Sequence, residues 1–210
     1  YVLDTRNPLF KGVVDAPRLF VFDLTTNALS NIFTLDSTTY HPNSYINDLR
    51  VDAPNHTIYM TDSGKGGLIV LDTQTGASRR MLDDHVSTTA ETDHLTIDNN
   101  RWENTVHSDG IALDLQNNLL YYHSLTGYTL YAIPTNILRN GTNDEAIAAV
   151  RTIAKTSAPD GMIMDGSGTL YYGDLEHHKI NYLDKEGAQH TLHQGDQINW
   201  PDTFSIYDGY

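Results

Sequence analysis

Apolar and polar residues alternate with a period of two along most of the chain, in short runs rich in β-branched and aromatic side chains. That pattern, punctuated by Gly, Asn and Asp, predicts strands joined by tight turns. One run, Asn47-Asp48-Leu49-Arg50-Val51-Asp52, leads through a turn to Ile58-Tyr59-Met60-Thr61-Asp62. The same two-strand unit returns twice. Asp109-Gly110-Ile111-Ala112-Leu113-Asp114 precedes Leu119-Leu120-Tyr121-Tyr122-His123, and Asp160-Gly161-Met162-Ile163-Met164-Asp165 precedes Leu170-Tyr171-Tyr172-Gly173-Asp174. A fourth copy opens at Pro201-Asp202-Thr203-Phe204-Ser205-Ile206.

Each of the first three units is continued by another strand pair, opening at Leu68–Asp72, Thr129–Ile133 and Lys179–Asp184, and Leu19–Asp23 occupies that place near the start. Four strands per repeat is the make-up of a propeller blade, so the expected fold class is an all-β propeller in one domain. The expected division is 1–40, part of a blade; 45–106, a blade with a long insertion; 107–156, a blade with a short helix in a loop; 157–197, a blade; and 198–210, the start of the next. That amounts to a fragment of three complete blades and two partial ones. Both ends read as cut, because Tyr1-Val2-Leu3-Asp4 resembles mid-strand sequence and a ring of six blades would need roughly 300 residues. Residues 83–106, polar and rich in Thr, Asp and Asn, read as a surface loop. One helix is expected, capped by Thr142 or Asn143, with Asp144 and Glu145 in its first turn and Arg151 at its end.

Charge narrows the partners. With 27 acidic against 13 basic residues the chain carries −14, which repels nucleic acid and anionic lipid and suits metal ions or organic amines. No apolar run approaches the ~20 residues of a membrane helix, and the opening residues do not read as a signal peptide. Cysteine is absent, which excludes disulfides, thiolate metal sites and a cysteine nucleophile. No Gly-x-Ser-x-Gly elbow supports a serine hydrolase. Ser63-Gly64-Lys65-Gly66-Gly67 precedes a strand and reads as a glycine turn rather than a phosphate loop. His190 and His193 fall on opposite faces of a strand, so a histidine metal site is not expected.

Aligning the repeats brings Asn47, Asp109, Asp160 and Asp202 into register, each opening the first strand of its unit. Innermost propeller strands line the central channel, so these oxygens would converge at its mouth. Such a set suits a hard cation such as Ca²⁺, with Asn47, Asp109 and Asp160 as candidate metal ligands. The competing reading makes them turn residues that bond their own backbone. Asp52, Asp114 and Asp165 read as turn formers, and Asp62, His123 and Asp174 close the second strand. Tyr121-Tyr122 and Tyr171-Tyr172 are expected to pack between blades, and Trp200, beside Asp202, to face a ligand.

Several segments resemble the major royal jelly/yellow family: Tyr1-Val2-Leu3-Asp4-Thr5, Tyr45-Ile46-Asn47-Asp48-Leu49-Arg50-Val51-Asp52, Gly67-Leu68-Ile69-Val70-Leu71-Asp72, His107-Ser108-Asp109-Gly110-Ile111 and Leu125-Thr126-Gly127. The resemblance implies a six-bladed propeller, secreted or periplasmic, that binds a small ligand at the channel mouth; some insect members bind biogenic amines. It marks Asp202, Thr203 and Phe204, with Trp200, as ligand-binding candidates. The lack of cysteine suggests a bacterial or divergent member. A more distant similarity, carried by Asn47-Asp48, Asp109-Gly110 and Pro159-Asp160-Gly161, is to the SMP-30/gluconolactonase propellers. It implies a divalent-metal-dependent lactonase or hydrolase with Asp160 as catalytic base, although Asp109 stands where those enzymes have Asn. A storage or scaffold protein without chemistry is the third reading.

Overall fold

The alternation seen in the sequence becomes two-sided burial. A computed structural model describes residues 1–207, and its seventeen strands pair in antiparallel sheets built from consecutive stretches of chain. The first sheet has three strands, β1 (Val2–Asp4), β2 (Arg18–Asp23) and β3 (Ala28–Thr34). The second has four: β4 (Ile46–Asp52), β5 (Thr57–Asp62), β6 (Leu68–Asp72) and β7 (Ser78–Met81). A separate hairpin of β8 (His94–Ile97) and β9 (Asn100–Glu103) follows. The third sheet holds β10 (Ser108–Asp114), β11 (Leu119–Ser124), β12 (Thr129–Pro134) and β13 (Arg151–Lys155). The fourth holds β14 (Met162–Met164), β15 (Leu170–Asp174), β16 (Lys179–Leu183) and β17 (Gln189–Gln194).

Successive strand residues point to opposite faces, so a sheet between two neighbours must be apolar on both. In β5 every residue is buried. Ile58 and Met60, with Ile69 and Leu71 of β6, pack towards Leu19 and Phe33 of the first sheet. Tyr59, with Leu68 and Val70, packs towards Ile111, Leu120 and Tyr122 of the third. Ala112 and Leu130 then meet Met162, Leu170 and Tyr172 of the fourth. The opening strands β4, β10 and β14 lie side by side, which is the inner wall of a propeller.

The turn aspartates behave as expected. Asp52 Oδ1 accepts from Asn55 N at 3.3 Å, Asp114 Oδ1 from Gln116 N and Asn117 N at 3.0 Å, and Asp165 Oδ1 from Ser167 N at 2.8 Å. Tyr122 and Tyr172 are buried between sheets, while Tyr121 and Tyr171 are half-buried. Among the described residues no helix is long and apolar enough to cross a membrane.

Four expectations need correction. There are two helices, α1 (Thr135–Asn140) and α2 (Asn143–Ala149), and Arg151 already belongs to β13. The first is six residues long, too short to show a helical period in sequence. Residues 83–106 contain the β8–β9 hairpin, turning at Asp98 and Asn99, both at positive φ (52° and 60°). Only Leu95, Ile97 and Trp102 mark its apolar side, so composition hid it. The pairing register aligns Asp62 and Asp174 with Ser124, not with His123, which is level with Thr61 and Gly173. Finally, residues 201–207 form no strand, because no strand among the described residues pairs with them; residues 208–210 of the expected fourth unit lie outside the described residues.

Thr142 caps α2 in a reciprocal box: its Oγ1 accepts from Glu145 N at 3.2 Å, and the Glu145 carboxylate accepts from Thr142 N at 2.7 Å. Thr142→Ala is expected to cost ~1 kcal/mol, read as a lower urea midpoint with an unchanged slope.

Candidate functional site

Two of the four register residues sit in β-bulges. Pairing of β4 with β5 slips between Ile46 and Leu49, and pairing of β10 with β11 slips between Ser108 and Ile111. Asn47-Asp48 and Asp109-Gly110 are thus freed from the ladder, and a bulge re-aims side chains at a strand end. Asp160 and Gly161 come just before β14, in the same place. Glycine after the aspartate lets the next unit approach. A Cβ on Gly110 would lie 2.7 Å from the Asp160 carbonyl oxygen, and one on Gly161 would overlap that of Asp202.

The result is a cavity of about 250 Å³ lined by Asn47, Asp48, Arg50, Asp109, Asp202, Thr203 and Phe204. Asn47 Nδ2 donates to Asp109 Oδ1 at 2.7 Å, and Trp200 Nε1 donates to Asp160 Oδ2 at 2.5 Å. Asp109 is 4% exposed. Burial, then the charge of Asp160, pushes its carboxyl well above the ordinary carboxylate range. Burial, then the charge of Asp202, pushes Asp160 up to about 7. Burial also raises Asp48, against the pull of Arg50. Each of these groups feels another carboxylate, so burial and mutual repulsion together favour their protonated forms.

Asp48 and Arg50 line the candidate cavity, although the register alignment did not single them out. Arg50 Nη1 holds Asp48 Oδ1 at 3.1 Å, while its Nη2 reaches the Met162 carbonyl at 2.5 Å, tying β4 to β14. Position in the strand was the available signal, since Asp48 follows Asn47 directly and Arg50 lies two residues further on. Trp200 faces Asp160, forty residues earlier in the chain, as well as neighbouring Asp202 in sequence.

The donor set fits a divalent metal ion poorly. Asn47 turns its amide nitrogen, not its oxygen, to Asp109, and an Asp160 oxygen is taken by the Trp200 indole. Among the described residues no group of three His, Cys, Asp or Glu is placed to hold a metal. A larger cavity of about 540 Å³, lined by Tyr171, Ile180, Leu192, Phe204 and Ile206, lies on the face of the fourth sheet. Its aspartate, Asp165, is already engaged by Ser167 in the turn.

Comparison with known proteins settles the ancestry. The family model described as "Major royal jelly protein" matches residues 2–208, nearly the whole chain. The chain belongs to the major royal jelly protein family. No curated protein sequence matches it. Among solved structures, this royal jelly family member is similar to a chain of a nidogen/laminin complex, with TM-score 0.58 and 15% identity over 86% of this chain and 59% of that one. It is similar to a gluconolactonase from Xanthomonas campestris, with TM-score 0.51 and 18% identity over 79% of this chain and 55% of that one. It is also similar to regucalcin, a calcium-binding protein, from Agrobacterium tumefaciens, with TM-score 0.50 and 13% identity over 83% and 53%. The chain therefore spans little more than half of each of these structures. Identities this low carry the fold alone, and a fold shared by a nidogen/laminin complex, a gluconolactonase and a calcium-binding protein leaves function to the site.

Proposed function

We propose that this royal jelly family member binds a small organic cation at the mouth of the channel. The observation that carries this reading is the gathering of Asp48, Asp109 and Asp202 at one cavity, with Asp160 close behind them and acting on Asp109, against the guanidinium of Arg50 bonded there. A positive ligand would favour the ionised carboxylates that burial and mutual repulsion disfavour, and a half-buried carboxylate cluster amplifies that attraction. Phe204 in the lining and Trp200 beside Asp160 supply aromatic faces on which an ammonium group or a ring can rest. Thr203 adds a hydroxyl that can orient a polar substituent. By family, secretion is the accompanying expectation.

The test is calorimetric titration with a protonated aromatic amine and, separately, with Ca²⁺. Amine binding that Asp160→Ala weakens, with calcium binding absent, is the expected result. Calcium binding lost in the same variant would favour the alternative, a metal-dependent lactonase in which Asp160 takes a proton from water. Indifference to both probes would leave a scaffold. Amine affinity is also expected to climb between about pH 6 and about pH 8, because Asp160 ionises through about 7 and the cation binds the ionised form. In Asp160→Asn that rise should flatten.

A further inference from the structure

Trp200 is held in a costly conformation. Its φ is 57°, in the left-handed region that a bulky residue rarely enters. Strain of this kind persists only where the surroundings impose it, and it collects at working sites. Downstream, Pro201 is pinned against the fourth sheet, where a Cβ on Gly173 would meet Pro201 O at 2.8 Å. Trp200 also packs against the cluster of Leu95, Val106, Leu125, Ala158 and Leu175, and the β8–β9 hairpin adds further restraints.

The hairpin lies against the ends of the third and fourth sheets. Thr96 N donates to Glu176 Oε1 at 2.7 Å, and Leu95 packs with Leu125, Ala158 and Leu175. Trp102 meets the Trp200 ring in a T-shaped contact, with centroids 5.1 Å apart. At the hairpin tip, Asp98 Oδ1 lies 2.7 Å from His178 Nε2, while His178 Nδ1 lies 2.8 Å from the Ile198 carbonyl oxygen. A carboxylate and a carbonyl only accept hydrogen bonds, so His178 donates to both when its ring carries two hydrogens. One side chain thus ties the hairpin tip to the segment that carries Trp200. Asp98 first, then the Ile198 carbonyl, raises the His178 pKa, and Asp196 adds to this from the far side. On its own loop, Glu176 is turned to Tyr128 and Thr96, and Asp174 to His177.

We propose that the β8–β9 hairpin is a working part of the channel-mouth site, with Trp102 and the Asp98–His178 clasp as positioning residues that hold the Trp200 indole on Asp160. The ligand-binding aspect rests on the function proposed above; the positioning does not. Without the hairpin, Trp200 would relax towards an ordinary backbone conformation and withdraw its N–H from Asp160. The mouth would then lose both an aromatic wall and the donor that orients the carboxylate.

The chain has only two tryptophans, so ¹⁵N-indole labelling gives two N–H resonances that assign by substitution. In the unmodified protein the Trp200 N–H should be shifted downfield and slow to exchange with solvent. In Asp98→Asn, an exposed turn position, and in Trp102→Ala, it should move towards the free-indole position and exchange roughly tenfold faster. Trp102→Phe, which keeps an aromatic edge, should restore most of the protection. Trp200 resonances and exchange rates that match the unmodified protein in both Asp98→Asn and Trp102→Ala would overturn the proposal. Amine titration of the same variants supplies the second arm. If the unmodified protein binds no amine, the functional reading fails while the resonances still decide the positioning. If it binds, Asp98→Asn should weaken affinity about tenfold, and unchanged affinity would count against the hairpin as part of the site.

Discussion

Asp109→Asn is expected to make the free protein more stable and a worse binder. The carboxyl of Asp109 is buried and repelled by Asp160, so its ionised form is disfavoured in the folded chain. Asparagine keeps the shape and can still accept the Asn47 amide hydrogen, so the change removes a group that must take up a proton or bury its charge on folding, without opening a cavity. A gain of roughly 1–3 kcal/mol is expected at neutral pH. The sign follows from linkage. A carboxyl whose folded pKa is raised favours the folded state below the unfolded value and loses that contribution as pH rises through the folded value. The advantage of Asp109→Asn should therefore be small near pH 4 and grow as pH climbs past the ordinary carboxylate range. Asp160 carries the same sign between its ordinary 3.8 and about 7. Urea unfolding at about pH 4 and about pH 8 reads both effects. Equal destabilisation at the two pH values would show that Asp109 is a structural hydrogen-bond partner and not a strained charge.

Gly161→Ala should do the reverse and damage both stability and binding. Its added methyl would overlap the Asp202 carbonyl oxygen and come within 3.0 Å of the Phe204 ring. Backbone cannot yield as a side-chain tip can, so the cost is expected to reach roughly 2–4 kcal/mol. Relief would come by lifting residues 200–204 off β14, which removes Trp200, Asp202, Thr203 and Phe204 from the mouth. Loss of amine binding with a red-shifted tryptophan emission would report that displacement. Gly166→Ala is the control, since nothing lies within 4 Å of the added carbon. Matching behaviour of the two variants would contradict the close-approach role of Gly161.

The repeat made the sheets legible because each strand of a stacked sheet must bury both faces, and that demand writes itself along the whole strand. Asp52, Asp114 and Asp165 were readable for a different reason, since a turn aspartate bonds backbone within four residues of itself. The convergence of Asn47 with Asp109 and of Trp200 with Asp160 was only partly readable. Register places residues at one end of the inner strands, but the bulges that turn them together leave no mark in composition. Arg50 illustrates the limit. Its bond to the Met162 carbonyl joins inner strands that are not sequence neighbours, and no local pattern encodes such a crossing. The β8–β9 hairpin was missed because one of its faces is polar and its turn, Asp98-Asn99, lacks glycine.

The contiguity of each sheet has a consequence for how the protein is made. Local pairing lets one sheet close before the next has left the ribosome, and chains organised this way fold with short loops to tie. The mouth is different, because Asn47 of the second sheet must wait until Asp160 and the residues around Asp202 have been synthesised and docked. The cavity at the mouth is thus the last feature the described chain completes during translation. A ligand present in the cell cannot template the early sheets; it can only fasten the finished arrangement.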